Sequence, residues 1–516
     1  MAVIPAIDPA TGEVFAETQA TPSGALPETV RRARAAQAGW AARPLAERQI
    51  MIRRFKHLLY RRRRDAAALV TRENGKPLGE SLLVDVAVTL DIARYYLAHA
   101  GRILEPRRVH HGNLALWGKR GWIHWEPMGV IAIISPWNYP LLLPFGELIP
   151  ALLAGNAVIL KPSEFTTRTA LLGVELLREA GLAEDLCQVV TGGGDVGAAL
   201  IASGPDKVFF TGSAATGRKV AVAAAERLIP VNLELGGSDP GIVLADADLE
   251  RAASGIIWAR YTNGGQTCVA AKRVIVERSV YETFVDILTQ KVAALRLGPG
   301  SAPGVDVGPI IRPSQLEVLE RPLAESVRAG ARVRTGGKRR PDVGPTFFEP
   351  TVLTDVSLTS PVWREEVFGP VLPVVPADTA DEAIRLANDS TYGLSASIWT
   401  GKRAHGELLA RRVKAGAVLV NDATYHVGAV EAPHGGTKES GQGRTHGEFG
   451  LLETCQPRFI GSDLLDRIRK PWWFRYDEAS LESRDAFMRL AFAPSFWERL
   501  RGLPGTLRLL FRRGAL

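Results

Sequence analysis

Val208-Phe209-Phe210-Thr211-Gly212-Ser213-Ala214-Ala215-Thr216-Gly217 reads as a short apolar strand, a turn of small residues and the opening of a helix. Backbone N–H groups left free at such a helix start, together with the helix dipole, favour a phosphate anion; a plain N-cap by Ser213 uses the same geometry. Outward from this turn, short apolar runs at residues 130–134, 157–160, 188–190 and 231–233 alternate with helical stretches at 166–180 and 216–226. Repeated strand–helix units predict an α/β fold with a parallel sheet, whose ligands sit at the carboxyl ends of the strands. A second such region is predicted from 241 to 430, with loops at 299–313 and 336–350. The first hundred residues read mostly as helix, with Ile52, Phe55, Leu59 and Leu69 at roughly helical spacing. Between these regions, Trp117, Trp122 and Trp125 alternate with glycines and charges and predict a β-hairpin over 112–126.

A chain of 516 residues asks for two or three domains, and 46% hydrophobic with 23% charged residues excludes wholesale disorder and a coiled coil. The three cysteines, Cys187, Cys268 and Cys455, lie too far apart for a disulfide framework or a closely spaced zinc set, so no metal and a reducing, cytoplasmic setting are expected. Residues 1–21 carry no basic start and no apolar core of secretory length, so no export signal is expected. The longest uncharged run, 127–146, is interrupted by Pro136, Pro140 and Pro144 and reads as a buried strand followed by a turn, not a membrane span. Of the net charge of +8, residues 464–516 supply eleven basic minus six acidic side chains, or +5, leaving +3 for the rest. A uniformly basic surface for nucleic acid is therefore not expected, and Arg61 to Arg64 read as a solvated helix face.

Asn263-Gly264-Gly265-Gln266-Thr267-Cys268-Val269-Ala270 sets a cysteine in a turn of small and polar residues rather than in an apolar stripe, which singles it out, with a buried structural cysteine as the alternative. Cys187 and Cys455 look like ordinary buried thiols. Gly192-Gly193-Gly194-Asp195-Val196-Gly197 fits the dinucleotide glycine pattern, yet no ribose-binding acid stands about twenty residues on, and tight turns use the same glycines.

Six stretches in order resemble the aldehyde dehydrogenase superfamily: Ser135-Pro136-Trp137-Asn138-Tyr139-Pro140, Lys161-Pro162-Ser163-Glu164, Phe210-Thr211-Gly212-Ser213, Leu233-Glu234-Leu235-Gly236-Gly237, the Cys268 turn, and Glu365-Glu366-Val367-Phe368-Gly369-Pro370. The resemblance runs from Asp8 to about Gly450. It implies a Rossmann-type cofactor domain split over 1–111 and 128–235, an oligomerisation hairpin at 112–127 and an α/β catalytic domain at 236–430. A return segment at 431–463 and a basic, aromatic extension at 464–516 complete the expected organisation. The implied activity is NAD-dependent oxidation of an aldehyde to the free acid through a Cys268 thiohemiacetal and thioester, with Glu234 activating the hydrolytic water and Asn138 in the oxyanion hole. The implied cofactor contacts are Ser135, Trp137, Lys161, Ser163, Glu164, Gly212, Ser213, Gly217, Glu366 and Phe368, and the implied substrate pocket includes Tyr139, Leu142, Leu143 and Thr267. Glu164 beside the ribose would repel a 2′-phosphate, which favours NAD, with NADP as the alternative. A homodimer or homotetramer is expected.

The chain departs from the common family pattern at Glu147, where many members carry lysine, at Thr445, where many carry glutamate, and at Gly146, where some carry tryptophan. The extension holds Trp472, Trp473, Phe474, Tyr476, Phe487, Phe492, Phe496 and Trp497, then Leu507-Arg508-Leu509-Leu510-Phe511-Arg512-Arg513. Rings and arginines together suit a lipid headgroup layer and predict peripheral contact with the inner membrane face and an apolar aldehyde substrate; the alternative is an arm packed on its own or a neighbouring subunit. An NADP-preferring, succinic semialdehyde-type dehydrogenase is the runner-up. A catalytically silent, membrane-tethered relative is the rival, opposed by the presence of Asn138, Glu234, Cys268 and Glu366 together.

Overall fold

The computed structural model describes residues 2–113, 116–467, 470, 472–474 and 476–511. The chain forms two compact units, one of Met1–Ile103 with Pro127–Cys455, the other of Leu104–Glu126 with Gln456–Leu516.

The larger unit holds two sheets. The first runs Gly441–Gln442, Val231–Glu234, Lys207–Thr211, Val130–Ile134, Ala157–Lys161 and Cys187–Val189, parallel throughout except for the antiparallel edge at Gly441–Gln442. Val130–Ile134 is apolar at every position and buried on both faces, as a central parallel strand must be. The chain builds outward from Val130–Ile134 on one side, then crosses back to add Lys207–Thr211 on the other. That reversal opens a crevice at the carboxyl ends of these two strands, where α/β sheets take their ligands.

The second sheet has seven strands in the order Arg332–Thr335, Thr351–Thr354, Val371–Ala377, Ala271–Glu277, Asp239–Val243, Ser395–Trp399 and Ala417–Val420. Only the first is antiparallel to its neighbour. Alternate side chains feed two cores: Ile242, Ile275 and Ile398 enter one, and Val243, Val274 and Val276 the other. The period of two in side-chain direction splits each apolar run between the faces.

Helices fill most of the first hundred residues, after a short antiparallel pair, Val3–Ile7 with Val14–Gln19, that the helical reading did not anticipate. The uncharged run does give a strand and a turn, but helix Leu142–Ala154 begins inside it. Pro144 lies in its first turn, where a missing N–H has no intrahelical partner to lose. The turn before this helix is held from below by a buried ion pair. Lys76 Nζ lies 2.7 Å from Asp85 Oδ2 and donates to the Asn138 carbonyl at 2.6 Å, while Asp85 Oδ1 accepts from Leu141 N at 3.2 Å.

In the smaller unit, Lys119–Pro127 lies between Cys455–Asp463 and Arg107–Val109. The hairpin expected over 112–126 is thus displaced: Arg107–Val109 pairs with Lys119–Pro127 in antiparallel register, and the glycine-containing stretch between them is the connection. Leu114 and Ala115, within that expectation, lie outside the described residues. Lys119 and Lys470 both pair with Asp463 and hold its carboxyl well below the usual range. Helices Glu478–Phe492 and Phe496–Phe511 cross closely, since a Cβ at Gly502 would lie 2.3 Å from the Ala486 carbonyl oxygen. No described helix is long and apolar enough to cross a membrane.

Replacing Lys76 by Met leaves Asp85 buried without its cation, and loss of one partner of a buried pair costs about 3 kcal/mol or more. Urea unfolding of Lys76→Met should show a lowered midpoint with the slope unchanged; an unaltered midpoint would mean that the pair does not hold the 138–142 turn.

Candidate active site

Helix Leu249–Tyr261 runs into a tight turn over Thr262–Gly265, and three successive residues, Asn263, Gly264 and Gly265, have φ of 51°, 61° and 76°. Asparagine and glycine tolerate this left-handed conformation. Gly265 is further restricted, because a Cβ there would lie 2.4 Å from the Gly369 carbonyl oxygen.

Amide groups lock the turn. Asn263 Nδ2 donates to the Asn138 carbonyl at 3.0 Å, Gln266 Nε2 to the Asn263 carbonyl at 2.9 Å, and Asn138 Nδ2 to the Gln266 carbonyl at 3.1 Å. Gln266 Oε1 accepts from Ile311 N at 2.9 Å, and Asn263 N donates to Glu80 at 2.8 Å. Tyr139 and Thr267 share a hydroxyl hydrogen bond of 2.8 Å. Lys272 Nζ donates to the carbonyls of Thr267 and Cys268 at 2.9 and 2.5 Å and lies 3.4 Å from Glu366. Asn138 is thereby tied to the turn two residues before Cys268, and one N–H of its amide goes to the Gln266 carbonyl, which leaves the second to meet another acceptor.

Cys268 is half-buried, whereas Cys187 and Cys455 are buried. It shares a small cavity of about 30 Å³ with Glu234, Glu147, Leu142, Leu143 and His434, room for a water or two. Burial pushes the Cys268 thiol up to about 12; Lys272 opposes this, while Asp239, Glu366 and Glu234 add to it. Both carboxylate oxygens of Glu234 are buried with no hydrogen-bond partner among the described residues. Burial, then the neighbouring Glu147, raise its carboxyl well above the usual range, with Arg444 pulling the other way. Burial takes Glu147 to about 8 and keeps His434 and His446 neutral, at about 4 and 3. Their rings stack in a row with His426, at centroid spacings of 5.4 and 5.5 Å.

The cofactor positions named from the sequence gather at the strand ends of the first sheet. Lys161 closes Ala157–Lys161, and its Nζ lies 3.7 Å from Glu164; Ser163 is buried next to it. Ser135 follows Val130–Ile134 and donates its N–H to the Lys161 carbonyl at 3.1 Å. Gly212 N donates to the Glu234 carbonyl, and Ser213 caps helix Ala214–Ala225 by accepting from Thr216 N. At Gly217 a Cβ would lie 2.5 Å from Leu235, which brings helix and strand together. Glu366 accepts from Gly237 N at 3.1 Å, and a Cβ at Gly236 would meet it at 1.9 Å. The Trp137 and Phe368 rings meet edge to face at 5.5 Å. A helix start, a cation and two carboxylates along one sheet edge fit a dinucleotide: backbone N–H for phosphate, carboxylates for ribose hydroxyls.

Lys272, Lys76, Arg260 and the histidine row did not stand out in the sequence. Arg260 is fully buried and donates to the carbonyls of Val367 and Gly369, which ties the Cys268 helix to the Glu366 loop. Its signal was faint: an arginine one turn ahead of the cysteine motif, in a helix whose apolar face it shares. No group of three or more His, Cys, Asp or Glu among the described residues is arranged to hold a metal ion.

The Aldehyde dehydrogenase family model matches residues 2–460. The chain belongs to the aldehyde dehydrogenase family. This aldehyde dehydrogenase is 39% identical over 443 residues to a putative succinate-semialdehyde dehydrogenase [NADP(+)] of Mycolicibacterium smegmatis, covering 85% of each chain. It is 37% identical over 491 residues to a 4,4'-diapolycopene aldehyde oxidase of Methylomonas sp, covering 95% of this chain and 91% of that one. Among solved structures, an aldehyde dehydrogenase from Bacillus cereus in complex with NAD+ superposes with a TM-score of 0.86 at 34% identity, over 90% of this chain and 93% of that one. The aldehyde dehydrogenase is thus an oxidoreductase that acts on aldehydes, in a family that uses NAD or NADP.

Gly265→Ala forces a Cβ against the Gly369 carbonyl in a left-handed residue. The variant should unfold at lower temperature and lose most aldehyde-dependent turnover; wild-type values for both would mean that the turn tolerates a different backbone.

Proposed function

We propose that this aldehyde dehydrogenase oxidises apolar, medium- to long-chain aldehydes to free carboxylic acids, with NAD as preferred acceptor. The observation that carries this reading is the character of the lining around Cys268 and Glu234, not its volume: Leu142, Leu143, Leu394 and Val427 face them, and none of the lining side chains is a lysine or arginine. Its two buried carboxyl groups and neutral histidines give a substrate carboxylate no counter-charge.

Cys268 Sγ, once deprotonated, bonds the aldehyde carbon, and the free N–H of Asn138 with the Cys268 backbone N–H receives the developing alkoxide. One such donor contributes about 3 kcal/mol to the transition state. A nicotinamide held by Glu366 and Phe368 would supply the two-electron acceptor at this carbon, and Cys268 Sγ then holds the oxidised carbon as an acyl thioester. Glu234 then takes a proton from the water that attacks the thioester, the acid departs and the Cys268 thiolate is regenerated. Its oxygens, free of internal hydrogen bonds, are available to that water.

Glu164, 3.7 Å from Lys161, supports NAD, since a carboxylate at the ribose opposes a 2′-phosphate. A second reading, an NADP-preferring semialdehyde dehydrogenase, is favoured by several relatives that are named putative succinate-semialdehyde dehydrogenases [NADP(+)]. The match to the diapolycopene aldehyde oxidase favours the first: it leaves 516 − 491 = 25 residues outside, fewer than the 53 of 464–516, so the likeness enters the terminal extension. There Trp473, Phe474, Leu481, Met488, Phe492, Phe496, Trp497 and Leu507 are exposed alongside Arg489 and Arg508. We read this face as a peripheral contact with anionic lipid, from which an apolar aldehyde is drawn; Arg512 and Arg513 lie outside the described residues. Trp122 and Phe459, exposed on the smaller unit's sheet, and Trp117, exposed in the turn before strand Lys119–Pro127, support an oligomer contact there.

Absorbance of reduced nicotinamide, followed with NAD or NADP and an aldehyde series, should rise in kcat/KM with chain length, fall sharply for succinic semialdehyde, and vanish in Cys268→Ala. Glu164→Gln should narrow the preference for NAD. Preference for the semialdehyde with NADP would overturn the reading in favour of the second. A chain ending at residue 463 should lose co-sedimentation with vesicles containing phosphatidylserine, and unchanged co-sedimentation would remove the lipid assignment.

A further inference from the structure

Glu147 and Glu234 present two buried carboxyl groups to one cavity of about 30 Å³. They arrive from different elements: Glu147 from helix Leu142–Ala154, and Glu234 from the end of Val231–Glu234. Thr211, in register with Glu234 on the adjoining strand, donates to Glu147 Oε1 at 3.5 Å. Two carboxylates facing one small cavity repel, so once one of them has ionised the other keeps its proton to higher pH.

We propose that Glu147 and Glu234, once the pair has lost its first proton, hold the second between them, and that Glu147 is a positioning residue which sets the pH at which Glu234 can take a proton from the water that attacks the Cys268 thioester. The inference rests on the assignment of Cys268 and Glu234 given above. The other charged and titratable groups around the pair are few. Lys207 acts on Glu147 from the strand below and is itself engaged by Glu453; Arg444 draws Glu234 toward ionisation. His434 and His446 close the cavity from residues 434–446 without charge, and Cys268 faces it as the thiol. Neither Lys207 nor Arg444 lines the cavity, so Glu147 is the charge-bearing neighbour closest in kind to the base it faces.

The sign follows from the repulsion. While Glu147 can carry negative charge, Glu234 ionises late, so deacylation gains rate only as pH rises. Replacing Glu147 by glutamine keeps shape and a hydrogen-bond partner for Thr211 but removes the charge, so Glu234 ionises at lower pH.

Hydrolysis of p-nitrophenyl acetate isolates this step without nicotinamide. The Cys268 thiol gives its proton to solvent and Sγ displaces nitrophenolate, which leaves an acetyl thioester; water then attacks the carbonyl, its proton passes to Glu234, acetic acid departs and the thiolate is left to take a proton back from solvent. The nitrophenolate burst reports acylation and the following steady rate reports deacylation. Glu147→Gln and Glu147→Met should both move the acidic limb of the steady rate toward lower pH, with severalfold faster deacylation from about pH 8 upward, where Glu147 is otherwise charged, and an unchanged burst size. A midpoint that stays in place in both variants, or a rate that falls by the same factor at every pH, is the mark of a packing role and would overturn the proposal. A wild-type protein that gives no burst would overturn the Cys268 assignment, and this inference with it; a normal wild-type burst with unmoved midpoints overturns the inference alone.

Discussion

Three left-handed residues, Asn263 to Gly265, turn the chain under Cys268, and the surrounding structure is arranged to keep that turn from relaxing. Two side-chain amides, Asn138 and Asn263, and the backbone of Gln266 close on one another at 3.0 to 3.1 Å, and Lys76 anchors the Asn138 carbonyl from beneath. Such a buried polar network is stable only when each member finds partners, and this one spans four separate stretches of chain. Its effect is to fix the thiol, one free N–H of Asn138 and the Glu366 loop with respect to one another. Precise placement of that kind supplies much of an enzyme's rate without any group being reactive by itself.

The same enclosure shapes the chemistry. A cavity of about 30 Å³ excludes bulk water, so ionisable groups in it favour their neutral forms: the thiol near 12, Glu147 near 8, the histidines near 3 to 4. The resting site is therefore nearly uncharged, and the ionisation of Cys268 and Glu234 depends on what binds beside them. Lys272, with its Nζ on the Cys268 carbonyl and 3.4 Å from Glu366, is the cation that links the Cys268 turn to the Glu366 loop.

The strand–turn–helix at 208–217 and the apolar runs around it were legible because parallel strands buried on both faces leave continuous runs of Val, Ile and Phe. The candidate chemistry was legible for a related reason: Gly264, Gly265, Gly236 and Gly237 occupy places where a Cβ would strike a neighbour or strain the backbone, and such positions leave visible glycine clusters. What stayed hidden depends on contacts between distant residues. Lys76 meets Asn138 across 62 positions and Arg260 meets Val367 across 107, and no local pattern announces either. The strands Val3–Ile7 and Val14–Gln19 are short and half-exposed, so periodicity was weak there. The smaller unit's hairpin was misplaced because the tryptophans that suggested it lie on and beside one strand, whereas its partner Arg107–Val109 is a three-residue strand without an aromatic ring.

The account turns on Cys268 as the atom that carries the acyl group. Glu234→Gln, incubated with NAD and an apolar aldehyde, quenched in acid and mapped by peptide mass, should carry the acyl group on the peptide that contains Cys268, with Cys187 and Cys455 unmodified. Reduced nicotinamide formed without any adduct on Cys268, or an adduct on either of the other two cysteines, would contradict it.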